Sequence, residues 1–116
     1  ESLTHQLCEW AEHQFKLNRP DKDGTTEREH LEQVERQIGL RPEALEPPTH
    51  FPSLLSHVWS AFVALSNSRS MGFSGPNPIT YIEIKAWKEL TDTHISSRDI
   101  ETIKRVDTVY MGTVNG

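Results

Sequence analysis

Apolar residues recur at spacings of three and four along most of the chain, which is the period of an amphipathic α-helix. A first helix is predicted at about residues 2–18, and its apolar positions are Leu3, Leu7, Trp10, Ala11 and Phe15. A second is predicted from Thr26 to Ile38, with a narrow apolar stripe formed by Leu31, Val34 and Ile38. The pattern therefore places two helices before residue 40.

Four prolines separate these helices from the rest of the chain. They occupy positions 42, 47, 48 and 52, and each lacks a backbone N–H and restricts the residue before it. We expect an extended Pro-rich connector at residues 41–52. It divides the chain into an acidic N-terminal helical arm, residues 1–40, and a helical body, residues 53–116.

Three further helices are predicted in the body. The one at about residues 53–68 has the densest apolar face of the sequence, formed by Leu54, Leu55, Val58, Trp59, Phe62 and Leu65. The other two lie at about 80–90 and 96–111, with inward positions Ile84, Trp87, Leu90, Ile100, Ile103, Val106 and Tyr110. No segment resembles a paired set of strands. We predict an all-α fold, a small bundle of about five helices.

Three helix starts are marked by a capping box, in which two side chains each satisfy the other residue's exposed backbone N–H. The capping pairs are Thr26 with Glu29, Thr80 with Glu83, and Ser96 with Asp99. The isoleucine pairs that can pack across the first turn of the last two helices are Ile79 with Ile84 and Ile95 with Ile100. These devices locate the helix starts independently of the apolar period.

Residues 69–78 contain two glycines and two prolines, a density that predicts an irregular loop. Met71 and Phe73 are large apolar residues on this segment. Two alternatives stay open: they contact a partner protein, or they fold back and anchor the loop against the core. Two alternatives also stay open for the first helix: Trp10 and Phe15 either enter a partner's groove or pack against the body.

Charge and composition narrow the classes of function. The formal net charge is −5, and residues 1–50 hold eleven Asp and Glu against six Lys and Arg. Nucleic-acid binding depends on basic residues that displace counterions, so an acidic chain without a basic stripe argues against it. No apolar run approaches the ~18 residues needed to span a bilayer, and the lone Cys8 fits a reducing compartment. We expect a cytoplasmic protein with neither nucleic-acid nor membrane partners.

Candidate catalytic and metal sites are weak. Glu9 and His13 have the i, i+4 spacing at which two side chains can reach one ion, but no motif supplies further ligands. The run Asp-Lys-Asp-Gly at 21–24 lacks the sixth-position Gly and twelfth-position Glu of a calcium loop, so a plain turn explains it. No turn presents a nucleophilic serine. We predict no enzymatic activity, no metal and no cofactor.

One longer pattern spans the body. Its parts are Trp59, Phe62 and Leu65, then Arg69 and Gly72-Phe73, then Gly75-Pro76-Asn77-Pro78-Ile79-Thr80-Tyr81, then Ile84, Trp87 and Leu90, and finally Asp107-Thr-Val-Tyr110. Over residues 51–111 this order resembles the small tail assembly chaperones of long-tailed, siphovirus-like bacteriophages and prophages. The insertion of Ser74 between Gly-Phe and Gly-Pro departs from the family pattern.

The resemblance implies a non-enzymatic protein in the cytoplasm of the bacterial host that binds the phage tape measure protein and tail tube protein during tail morphogenesis. On this hypothesis the partner-binding residues are Met71, Phe73, Pro76, Asn77, Trp10 and Phe15. A homo-oligomer stays open as a further partnership. Two other functions also stay open: a minor tail or connector component retained in the virion, and a metal-dependent or regulatory helical protein that uses the histidines.

Overall fold

The computed structural model describes residues 2–115, so residues 1 and 116, at the ends of the predicted arm and body, lie outside the described range. The helices are α1 (Ser2–Leu17), α2 (Glu27–Ile38), α3 (Ser56–Asn67), α4 (Tyr81–Leu90) and α5 (Ser97–Asn115). A small hairpin pairs β1 (Met71–Gly72) with β2 (Gly75–Pro76). Among the described helices, none has both the length and the apolar character needed to cross a membrane. The predicted mostly helical bundle of five helices is confirmed.

All three predicted capping boxes are present. In each, the cap hydroxyl accepts a hydrogen bond from the N–H three residues on, at 3.1 to 3.2 Å, and the carboxylate there accepts from the cap's own N–H. The C-terminal end of α2 is also determined by residues close in sequence. Gly39 has φ 76° and donates its N–H to the Glu35 carbonyl at 2.8 Å, which ends the helix. These termini form where short-range chemistry predicts them.

The core forms where α1 and α3 both pack against α5. Its buried members are Leu7, Ala11, Val58, Ala61, Phe62, Leu65, Ile79, Ile84, Ile95, Ile103 and Val106. Ile100 packs against this cluster, so all four isoleucines predicted to pack across helix starts contribute to the core. The core therefore draws on α1 as well as on the residues after the connector.

An aromatic cluster extends the core between α1, α3 and α5. The Trp10 ring centroid lies 4.7 Å from that of Phe51 and 5.0 Å from that of Trp59, both edge to face. The Phe15 centroid lies 5.2 Å from that of Tyr110, also edge to face. Offset and edge-to-face pairs add about 0.5–1.5 kcal/mol each beyond the burial of their surface. The cluster thus fixes α1 against two helices of the body.

Helix α2 is attached differently, since it has no buried residue. The Arg28 guanidinium donates to the Asn18 side-chain oxygen at 2.8 Å and to the Gln14 side-chain oxygen at 2.7 Å, which ties α2 to the end of α1 by polar contacts. The radius of gyration is 15.7 Å, above the roughly 13 Å typical of a compact domain of this length. Helix α2 therefore lies at the periphery of an elongated molecule.

The prolines of the connector begin turns as well as extending the chain. Pro42 and Pro52 each precede a 3-10 turn, at Glu43–Leu45 and Ser53–Leu55, because proline presets a φ close to the helical value. As a result α3 begins at Ser56, and Leu54 is exposed, contrary to its predicted inward position. The inward prediction for Leu90 is also wrong, since this last residue of α4 is 86% exposed where the chain turns away.

The start of α5 carries a charge interaction that depends on pH. Burial raises the pKa of Asp99, but the Ser96 N–H and the His57 imidazole, whose Nε2 lies 3.2 Å from Asp99 Oδ2, together lower the pKa below its ordinary value of 3.8. A carboxyl with a lower pKa in the folded chain stabilises the fold above its unfolded pKa. That contribution is lost as the pH falls through the folded pKa.

We expect Asp99→Asn to lower the free energy of unfolding at pH 7 by about 0.3–1 kcal/mol, because a carboxylate in the first turn also interacts favourably with the helix dipole. The variant should lose less stability than the wild type as the pH falls below about 4. Urea unfolding at pH 7 and at about pH 3 measures both effects. Asp92→Asn, in the exposed turn before α5, is the matched control, and equal pH dependence of the two variants would contradict the assignment.

Candidate functional site

The segment between α3 and α4 is a short β-hairpin, so the prediction of an irregular loop is wrong at residues 71–76. Met71 pairs with Pro76 and Gly72 pairs with Gly75 in antiparallel register. Gly75 has φ 123°, a conformation that glycine adopts without steric cost, and Pro76 is tolerated because a two-stranded hairpin consists of edge strands. The glycines and prolines that argued against regular structure are thus compatible with this particular turn.

Asn77 closes the base of the hairpin. Its backbone N–H donates to the Ser70 carbonyl at 3.0 Å, and its side-chain amide donates to the Ser70 hydroxyl at 3.2 Å. A Cβ added to Gly72 would lie 2.6 Å from the Asn77 side-chain oxygen, so the glycine allows Asn77 to lie across the strand. Asn77, predicted as a partner-binding residue, therefore also holds the hairpin together.

A buried ion pair attaches this hairpin to α5. Arg69 Nη2 lies 2.7 Å from Asp107 Oδ1, and each side chain is only 4% exposed. Arg69 Nη1 donates to the Asn77 carbonyl at 2.9 Å, while Asp107 Oδ2 accepts from the Ile79 N–H at 2.9 Å. The two charges thus bind the chain on both sides of Pro78, where the hairpin leads into α4.

Two further α5 side chains, Lys104 and Tyr110, also hold this segment. We call these two residues, together with the Arg69–Asp107 ion pair, the brace. The Arg69 guanidinium carbon lies 4.3 Å from the Tyr110 ring centroid, a cation–π arrangement. Lys104 Nζ donates to the Ile79 carbonyl at 2.6 Å and lies 4.7 Å from the Tyr81 ring centroid. Lys104, Asp107 and Tyr110 are spaced by three residues, so one face of α5 holds both ends of the segment, at Arg69 and at residues 79–81.

Arg69, Lys104 and Asp107 were not among the predicted site residues. Arg69 and Asp107 do belong to the pattern that carries the family resemblance. Asp107 gives a second signal, because it follows Ile103 by four residues and therefore falls on the inward face of its helix. A carboxylate there needs a buried partner. Its partner is far away in sequence and is identified only when the hairpin folds onto α5.

The brace presents two apolar side chains to solvent at the hairpin. Met71 is 69% exposed and Phe73, in the turn, is fully exposed. Neither side chain packs into the core, so they do not anchor the loop. Pro76 is half-buried in the second strand. Together the two side chains form a small exposed apolar patch, a feature that can mark a surface that contacts another molecule.

The two remaining predicted contact residues lie in the aromatic cluster. Trp10 and Phe15 are half-buried there, and the structure does not bring them to the hairpin tip. Phe15 is connected to the brace through Tyr110, which packs against Phe15 on one side and Arg69 on the other. Both residues therefore have a structural role within the chain.

The weak metal candidates have ordinary surroundings. His13 Nε2 lies 3.0 Å from the Ala44 carbonyl, and Glu9 lies 3.6 Å from His5 rather than beside His13. Across residues 2–115, no three His, Cys, Asp or Glu side chains come close enough to share a metal ion.

The Asp-Lys-Asp-Gly run at 21–24 forms a turn. The Asp21 carboxylate accepts the backbone N–H groups of Thr25 and Asp23 at 3.0 and 2.9 Å, which together with nearby His30 lower the pKa of Asp21. Gly24 takes the left-handed conformation that the turn requires, with φ 81°. The aspartate oxygens are directed at the turn's own backbone.

Comparison with known proteins identifies one family. A family model described as a phage tail assembly chaperone matches residues 34–112. This range includes the hairpin, the brace on α5 and more than half of the chain. Neither a curated protein nor a solved structure matches the chain significantly.

Proposed function

The chain belongs to the phage tail assembly chaperone family, and on that basis we propose that it binds the tape measure protein and the tail tube protein while a tail is assembled. It acts in the cytoplasm of the bacterial host, as a binding protein without catalytic activity. The observation that carries this proposal is the fully exposed Phe73 on a hairpin fixed by a buried ion pair, within the range that matches the family.

The hairpin suits the work of a chaperone for unassembled subunits. A tail protein before assembly exposes apolar surface that its neighbours will later cover, and such surface aggregates unless another protein covers it. Phe73 and Met71 are exposed apolar side chains that can enter an apolar pocket on such a surface. Because the hairpin is ordered before binding, little conformational entropy is lost when these side chains enter the pocket.

The proposed contact residues have unequal roles. Met71 and Phe73 contact the partner directly, and Pro76 and Asn77 flank that contact while maintaining the hairpin. Trp10 and Phe15 are half-covered by the chain itself, so a partner reaches only their exposed edges. An aromatic residue at the centre of an interface usually contributes more binding energy than its neighbours, which makes Phe73 the residue to test.

Co-expression with the tape measure protein, and separately with the tail tube protein, tests the function. We expect a complex that co-purifies and a larger soluble fraction of the tail protein. If neither tail protein forms a complex and the solubility of both is unchanged, the proposed function is rejected.

Within such a complex, we expect Phe73→Ser to weaken binding by about 2 kcal/mol, roughly 30-fold, because the central anchor of the contact is lost. The thermal midpoint of the free chain should not change, since Phe73 packs against nothing in it. Leu54→Ser is the matched control, because Leu54 is another exposed apolar residue, at 75%, outside the hairpin. Titration calorimetry on the purified proteins measures both variants. Equal affinities would place the contact elsewhere on the chain.

A further inference from the structure

Helix α2 carries an apolar strip that the rest of the chain covers only in part. Val34 is 40% exposed, Ile38 is 61% exposed and Leu40, just beyond the helix, is 70% exposed, while Leu31 is half-buried. Residues 31, 34 and 38 lie on one helical face, so these side chains form a continuous strip. An isolated exposed leucine needs no explanation, but a strip with helical spacing is typical of a helix-binding surface.

This helix is ordered although the strip is only partly covered by the rest of the chain. Its first turn is closed by the capping box of Thr26 and Glu29, and its last turn ends in the left-handed Gly39. Arg28 fixes the helix to the end of α1 through side-chain hydrogen bonds. An isolated helix of 12 residues is marginal in water. These polar devices, with contacts to α1 and to the 3-10 turn at Glu43–Leu45, hold α2 in place while Ile38 stays exposed.

The charges beside the strip determine which partner fits. Glu27 lies on the same helical face one turn before Leu31, and Glu35 borders the strip on its other side. Arg28 is engaged with α1, and Arg41, near Glu35, also contacts Glu46. Glu27 and Glu35 are therefore the acidic neighbours of the strip, and the Glu35 charge is partly offset by Arg41 Nη1 at 3.9 Å.

We infer that α2 is a docking site for a basic amphipathic helix of a partner protein. The apolar face of that helix would cover Val34 and Ile38, and its Lys or Arg side chains would approach Glu27 and Glu35. A second copy of this chain fits less well, because pairing α2 with α2 brings acidic faces together. This site is distinct from the hairpin, so the two can be tested separately.

The probe is a synthetic helical peptide with leucines at i, i+3 and i+7 and lysines at the flanking positions. Two control peptides keep its length: one has the same composition with the leucines distributed around the helix, and one has glutamates in place of the lysines. We expect the full chain to bind the basic amphipathic peptide at least tenfold more tightly than either control. The affinity should fall as salt is added, because exposed charges are screened.

Two variants identify the surface. Ile38→Ser should weaken peptide binding about tenfold, whereas Gln33→Ser, on the opposite face of the same helix, should leave it unchanged. Phe73→Ser should also leave it unchanged, which separates this site from the hairpin contact. Circular dichroism of each variant checks that α2 remains folded; Ile38 is already exposed, so no loss of helix is expected.

Two results would overturn the inference. One is binding of all three peptides with similar affinity, or binding that Ile38→Ser does not change. The other is a dimer of the full chain in sedimentation experiments that Ile38→Ser dissociates, which would make a second copy the occupant. Neither result bears on the tail-protein complex, whose test depends on Phe73.

Discussion

Replacing Asp107 with leucine is expected to lower the free energy of unfolding by about 3–5 kcal/mol, the usual cost of removing one member of a buried ion pair. The variant leaves the Arg69 guanidinium charged and buried without its carboxylate, and it leaves the Ile79 N–H without an acceptor. Glu89→Leu, at an exposed carboxylate on α4, is the matched control and should change stability by no more than about 0.5 kcal/mol.

The double variant Arg69→Met with Asp107→Leu should be more stable than the Asp107→Leu variant, because no uncompensated charge is then buried. Urea unfolding of the single and double variants measures the coupling, and hydrogen exchange at residues 70–81 reports whether the hairpin is still held. Additive losses in the two single variants, with unchanged exchange, would show that Arg69 and Asp107 do not act together. The ion pair would then have no part in presenting Phe73.

Leu7→Ala is expected to lower the free energy of unfolding by about 2–5 kcal/mol, the range for truncating a buried leucine. Leu7 is fully buried against the α3 and α5 core, where the other side chains cannot move enough to fill the cavity. The consequence extends beyond stability, because a large effect means that α1 folds together with residues 53–115 as one unit.

Leu3→Ala, on the same helix and 38% exposed, is the control for the loss of a leucine side chain. It should lower the free energy of unfolding much less than Leu7→Ala does. Thermal unfolding followed at 222 nm measures both variants, and a single cooperative transition is expected for each. A small effect of Leu7→Ala, or a separate early transition that contains α1, would instead support an N-terminal arm that folds independently.

The predictions that succeeded depend on neighbours in sequence. Thr80 and Glu83 close a capping box because the two residues are three apart, whatever the rest of the chain does. The burial of Phe62 and Val106 follows equally from the apolar period of their helices. Such features need only local geometry, which is why the number and type of the helices and the three capped helix starts could be predicted without a structure.

The predictions that failed involve positions where the local pattern has more than one solution. Leu54 matches the period of α3, but the proline before it begins a 3-10 turn that directs the side chain to solvent. The glycine and proline density of residues 69–78 is compatible with an open loop or with a hairpin. The hairpin is the conformation found, and it is accompanied by contacts with α5. Arg69 and Asp107 are hydrogen-bonded to the chain beside the hairpin.

From the sequence alone come the helical class, the three capped helix starts, the acidic N-terminal half and the choice of Met71 and Phe73 as candidate contacts. Only the tertiary structure shows that Phe73 stands on a hairpin braced by the Arg69–Asp107 pair, and that α2 keeps an apolar strip partly exposed. The physical reason is distance along the chain. Capping and helical period act within a few residues, whereas burial, ion pairing and exposure depend on which segments meet after folding.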